Sequence, residues 1–148
     1  MPSSFPIPIV LVQHMPPLFT KSLADSLSKR SKLKVIEAKQ DCPIQGGCVY
    51  IAPGGRHMLL QKRNKSVRTI LNDQPPEKGC KPSVDILFRS GAKIYGRDVI
   101  AIILTGMGVD GTEGAGILKK SGAYVIVQDS ETSVVWGMRG SIKASGNV

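Results

Sequence analysis

His14 and Asp110 are the two residues whose types and placement suggest acyl-transfer chemistry. His14 follows the apolar run 9–12, and Asp110 lies in the loop Gly106-Met107-Gly108-Val109-Asp110-Gly111, just after the apolar run 99–104. An aspartate can hold a histidine in one tautomer, and the imidazole then serves as general base for a hydroxyl nucleophile. Backbone amides of Gly106 to Gly108 are suited to stabilise the resulting oxyanion. The same loop also reads as Gly-x-Gly-x-x-Gly, with Asp129 placed 18 residues after Gly111. Such glycines let backbone N–H groups approach a pyrophosphate at a helix N-terminus. Against that, the charge of Asp110 repels a phosphate, and the fingerprint normally opens the first βαβ unit of a domain. Plainer roles also stand: a strand-end histidine is more often a structural hydrogen-bonder, and an aspartate among glycines is often an Asx-turn residue.

Strands and helices must place these residues. Runs 9–12 and 99–104 are apolar throughout, which reads as strands buried on both faces, the habit of parallel sheets. Further strands are expected at 34–38, 48–52 and 123–128, the last of them strongly patterned. After Pro16-Pro17, Phe19, Leu23 and Leu27 recur every four residues and predict a helix that ends near Lys29 or Arg30. Segments 57–61 and 66–71 flank Lys62-Arg63-Asn64-Lys65 and predict a hairpin with its polar tip in water. Ser83 suits a helix N-cap, with Asp85 in the first turn and Val84, Leu87, Phe88 and Gly91 as the apolar stripe up to Tyr95. A helix over 112–121 is stopped by Gly122, and 129–148 is weakly patterned. This alternation predicts one α/β domain over residues 1–148, with a mostly parallel sheet and a β-hairpin insertion.

Composition narrows the partners. The 20 basic and 11 acidic residues give a net charge of +9, which favours an acidic partner. Aromatic residues are only 5% of the chain and no basic helix is clustered, so a nucleic-acid partner is not expected. Cys42, Cys48 and Cys80 form neither a closed disulfide set nor a zinc pattern, which points to a reducing cytoplasm. The apolar start lacks a preceding positive charge and is broken by Pro2, Pro6 and Pro8, so it does not read as a signal peptide. The longest apolar run, 99–104, is too short to cross a bilayer.

Five motifs then carry a resemblance. They are Val12-Gln13-His14-Met15-Pro16-Pro17 with Phe19-Thr20, Val49-Tyr50-Ile51-Ala52-Pro53-Gly54-Gly55-Arg56-His57-Met58, Pro82-Ser83-Val84-Asp85-Ile86-Leu87-Phe88, Leu104-Thr105-Gly106-Met107-Gly108-Val109-Asp110-Gly111, and Gln128-Asp129 with Ser133-Val134-Val135-Trp136-Gly137-Met138. In order and spacing they resemble the catalytic domain of CheB-type chemotaxis protein-glutamate methylesterases. The resemblance implies a Ser-His-Asp esterase on a Rossmann-like, doubly wound parallel sheet. It implies hydrolysis of glutamate methyl esters on the cytoplasmic helices of chemoreceptors, with deamidation of glutamines in many members. His14 becomes the general base, Asp110 its orienting acid, and Met107 an oxyanion-hole donor through its backbone N–H. No metal or cofactor is implied.

The family nucleophile sits in a Gly-x-Ser-Thr-Gly-Gly turn upstream of the histidine motif, and no serine of these 148 residues stands in such a turn. Ser83 reads as a cap, and Ser90 and Ser121 stand before glycines read as helix-ending. The expectation is therefore a chain without the first strand, the nucleophile turn and the following helix, without the family's closing helix and receiver domain, and inactive by itself. That loss would leave apolar surface exposed on the sheet. Arg139 stands where the family usually has proline. The alternatives are a non-catalytic receptor-binding or regulatory remnant and a nucleotide-binding module. Calorimetric titration with NAD or ATP decides on the last: we expect no binding at Gly106 to Gly111, and micromolar affinity would overturn the esterase assignment of this loop.

Overall fold

The computed structural model describes residues 1–148 except Thr105, Met107, Ser130, residues 133–136 and the side chain of Arg139. The chain folds as two compact units, Met1–Pro82 and Ser83–Val148. The first contains β1 (Ile9–Leu11), α1 (Phe19–Arg30), β2 (Lys34–Glu37), β3 (Cys42–Pro43), β4 (Cys48–Ile51), β5 (His57–Arg63) and β6 (Ser66–Asn72). The second contains α2 (Val84–Tyr95), one 3₁₀ turn (Gly96–Asp98), β7 (Ile100–Ile103), α3 (Thr112–Lys120), β8 (Tyr124–Val127) and α4 (Gly137–Ala144).

In the first unit β4 is the central strand of a parallel sheet ordered β1-β4-β2, with Ile9 and Val35 both opposite Val49. Helix α1 covers it, and Ala24, Val35 and Ile51 form the core with Leu11, Leu23 and Val49 packed against them. The expected stripe of Phe19, Leu23 and Leu27 is displaced by one position. Phe19 is 59% exposed and Leu27 37%, whereas Thr20 and Ala24 are buried. Ala24 has only a methyl group, so the helix axis comes close to Val35 and Ile51. Thr20 hydrogen-bonds into the loops beneath it, which fixes that rotation.

The hairpin forms as expected but with a tighter end. Strands β5 and β6 pair antiparallel out to Arg63 opposite Ser66, so Lys62 and Arg63 lie in the strand and only Asn64-Lys65 turn. Asn64 adopts φ 54°, a left-handed conformation that asparagine tolerates. The tip is exposed, and the two-residue strand β3 pairs with β6 at the other edge.

In the second unit β7 and β8 pair in parallel, with Ile100 opposite Tyr124 and Ile102 opposite Ile126. Here the expectation of strands buried on both faces fails. Ala101, Ile103 and Val125 are buried, but Ile100 is 61% exposed, Ile102 57%, Tyr124 72% and Ile126 50%. One face of this strand pair thus presents adjacent exposed apolar side chains. Segment 137–144, within the stretch read as weakly patterned, is the helix α4. It buries Met138 and Ile142, and Asn147 beyond it donates to the carbonyl of Thr112 at 3.2 Å.

Tyr50 ties the first unit's sheet to the segment leading into it. Its hydroxyl donates to the carbonyl of Pro43 and accepts from the amide of Gln45, both at 3.2 Å. Burial pushes this phenol from its ordinary value up to about 12, and Cys48 beside it adds to the rise. A raised folded value means that the stabilising contribution is complete below about pH 10 and is lost as pH climbs through about 12. Tyr50→Phe is therefore expected to lower stability at pH 7 by about 1–2 kcal/mol through the two broken hydrogen bonds. The gap to the parent should then narrow between pH 10 and 12. Urea denaturation across that range tests this, and parallel profiles would contradict it.

Candidate active site

Asp110 is 1% exposed. Its carboxylate reaches the N-terminus of α2. Oδ1 accepts from the Ser83 hydroxyl at 2.8 Å and from the Asp85 amide at 3.0 Å, and Oδ2 accepts from the Val84 amide at 2.7 Å. The first amides of a helix have no intrahelical acceptor, and the positive end of the helix dipole favours an anion there. Ser83 does hold the N-cap position, but its side chain makes no cap bond and serves as a donor to Asp110. The expected cap is thus correct in place and wrong in agent. A carboxylate offers about four acceptor positions, and these three bonds do not exhaust them.

The arrangement is reciprocal. Asp85, fully buried in the first turn of α2, accepts the Gly114 amide of α3 at 2.7 Å. A β-carbon on Gly114 would stand 2.6 Å from Phe88 Cβ, so the two helices approach because that side chain is missing. Gly111 has φ 88°, and a β-carbon there would meet Val84 at 2.9 Å. These two glycines let a loop and a helix bring carboxylate and amide together. At Gly114 a phosphate would have to compete with the Asp85 carboxylate for the amide. This argues against the nucleotide-binding alternative.

His14 is exposed and follows β1 at the carboxyl end of the strand. The neighbouring strand leaves the sheet beside it: the Ala52 amide donates to the Leu11 carbonyl at 2.8 Å, and Pro53-Gly54-Gly55 then runs against 15–17. Met107, the expected oxyanion donor, lies outside the described residues, as does Trp136.

The other residues of interest have structural roles. His57 is fully buried, with Nε2 3.0 Å from the Pro75 carbonyl, which makes that nitrogen the donor. Arg56 grips Asp73 with two bonds of 2.8 and 3.0 Å and holds that carboxyl below its ordinary range. Asp129 accepts the Thr132 amide at 2.8 Å and its hydroxyl at 3.0 Å, which lowers its carboxyl and commits it to its own turn. Ser90 and Ser121 donate to the carbonyls of Leu87 and Ile117. Gly122 ends α3 with φ 84°, but Gly91 is buried within α2, so Ser90 does not precede a helix end. The three cysteines are free thiols. Sequence reasoning missed the pairing of Thr20 with Glu37 and of Asp85 with Gly114. The only available signal was that Thr20 and Asp85 are polar residues in first turns.

Parallel strands connected through helices define an α/β fold. The chain belongs to the CheB methylesterase family, whose model matches residues 1–148. The crystal structure of the Thermotoga maritima CheB methylesterase catalytic domain is similar with a TM-score of 0.97 and 46% identity, covering 100% of this chain and 78% of that one. A protein-glutamate methylesterase/protein-glutamine glutaminase of Trichodesmium erythraeum is 48% identical over 145 residues, 98% of this chain and 41% of that protein. One of Rhodospirillum rubrum is 50% identical over 139 residues, 94% of this chain and 36% of that protein. The chain thus spans about two fifths of the length of these curated relatives.

Replacing Asp110 removes one acceptor from three donors. Asp110→Ala is expected to cost about 2–4 kcal/mol, with Asp110→Asn costing less because one carbonyl oxygen remains. Amide exchange resolved by residue checks this: protection should fall first at Val84 and Asp85. Unchanged protection at those two amides would refute the cap.

Proposed function

We propose that this chain supplies the general base and orienting acid of a protein-glutamate methylesterase, His14 and Asp110, with the Met107 amide as an oxyanion donor. What carries the reading is the burial of Asp110 with its carboxylate locked by α2, in a chain matched to the CheB methylesterase family along its whole length. An orienting acid has to be unable to turn, and three donors on one side give it that property. The similarity of the whole chain to one solved catalytic domain supports treating residues 1–148 as part of a single domain.

In the proposed reaction a serine hydroxyl attacks the γ-carbonyl of a methylated glutamate while His14 takes its proton. The tetrahedral oxyanion collapses, methanol leaves with that proton, and an acyl-serine remains. Water, activated by His14, then attacks the acyl group and releases the glutamate carboxylate. With glutamine the leaving group is ammonia. The names of the relatives, which pair methylesterase with glutaminase, support both substrates. The proposed substrate protein is a chemoreceptor, met at its cytoplasmic helices, and the proposed compartment is the cytoplasm. The chemistry needs no metal or cofactor.

Among these 148 residues no serine occupies a Gly-x-Ser-Thr-Gly-Gly turn. We therefore expect the 148-residue polypeptide alone to release no methanol from methylated receptor. The same polypeptide joined to a family segment bearing that turn should do so, and His14→Ala in the joined protein should lower the rate by about 10⁴-fold or more. Turnover by the 148 residues alone that depends on His14 would overturn the assignment of the nucleophile. A folded but silent joined protein would overturn the esterase assignment and leave a binding role.

A further inference from the structure

We propose that Thr20 is the positioning residue of the His14 loop, acting through Gly54 and Glu37; this rests on His14 being the general base. Thr20 is fully buried in the first turn of α1, six residues beyond His14. Its Oγ1 accepts the Gly54 amide at 3.0 Å and donates to Glu37 Oε1 at 2.6 Å. The directions are forced. An amide can only donate, so the single hydroxyl proton goes to the carboxylate, and 2.6 Å is the length of a charge-assisted O–H···O bond.

Gly54 is the link to His14. A β-carbon on Gly54 would lie 2.5 Å from the Met15 carbonyl oxygen and 2.5 Å from the Pro16 carbonyl carbon. One on Gly55 would lie 3.0 Å from Pro17 Cγ. The backbone at 54–55 is therefore pressed against the residues that immediately follow His14. Glu37 is the last residue of β2, so one hydroxyl joins the end of β2, the loop after β4 and the helix that continues the loop after β1. Helix α1 has no side-chain cap of its own, and Leu18 at its start has φ 74°. The entry to the helix is thus held by Thr20 from inside rather than by a cap. An exposed imidazole on the seven-residue connection 12–18 gains a defined position from that anchor.

The test uses NMR on the 148-residue chain, comparing Thr20→Val, which keeps the shape and loses the hydroxyl, with Thr20→Ser, which keeps the hydroxyl. In Thr20→Val the Gly54 amide should exchange about tenfold faster. The His14 ring signals should shift and broaden, while amides of α1, β2 and β4 keep their protection. Thr20→Ser should restore the parent signals. Glu37→Gln, which leaves the Thr20 packing untouched, should move the His14 ring signals in the same direction by less. Unchanged His14 signals in both Thr20→Val and Glu37→Gln would overturn the proposal, as would failure of serine to restore them. A uniform loss of protection across α1, β2 and β4 would also overturn it, making Thr20 a core residue only. None of these signals depends on turnover, so their outcome is separate from that of the esterase assignment.

Discussion

The second unit depends on an exchange of carboxylates between helix N-termini. Asp110, at the entrance to α3, satisfies the first amides of α2, and Asp85, at the entrance to α2, satisfies an amide of α3. Each helix terminus thus receives a carboxylate from the other, and these bonds satisfy amides that lack an intrahelical acceptor. The two acidic groups are buried because each is surrounded by donors that would otherwise be orphaned. The close approach of the helices follows, and with it the requirement for glycine at 111 and 114. Position, charge and packing of the proposed catalytic acid are thus set by one exchange.

Local pattern made most elements legible. Proline at 16 and 17 followed by a helical repeat located α1, and the two runs around Asn64 located the hairpin. The glycine at 122 marked the end of α3. What stayed hidden was whatever a distant partner decides. The rotation of α1 turns on a threonine that bonds to residues 17 and 34 positions away, so the repeat pointed one position off the buried line of Thr20 and Ala24, although Leu23 still packs on the core. The exposed isoleucines of β7 read as buried because an apolar run records hydrophobicity and not which face is covered. Short α4 begins with glycine and has no long stripe, so periodicity could not find it.

The site divides in the same way. His14 and Asp110 were visible as residue types at strand ends, and their placement needed only the alternation of strand and helix. The agents that hold them were not visible. Asp110 is fixed by donors 25 to 27 residues earlier, and the His14 loop rests on a backbone contact with Gly54. A sequence shows which groups can react; their immobilisation is made by long-range bonds that composition and spacing do not encode.

The glycine loop shows why a pattern shared by two chemistries must be decided by what fills the helix ends. Gly-x-Gly-x-x-Gly states only that something can approach a backbone closely. In a dinucleotide site the approaching group is an external pyrophosphate, drawn by free amides at a helix N-terminus. Here the amides of Val84 and Asp85 are taken by Asp110, and that of Gly114 by Asp85. At Gly114 an external anion would have to displace a carboxylate that is covalently part of the fold and already buried. It would also have to sit beside that displaced negative charge. Both costs run against phosphate binding, and both disappear if the loop exists to place Asp110. The aspartate that spoils the fingerprint is therefore the residue the glycines serve.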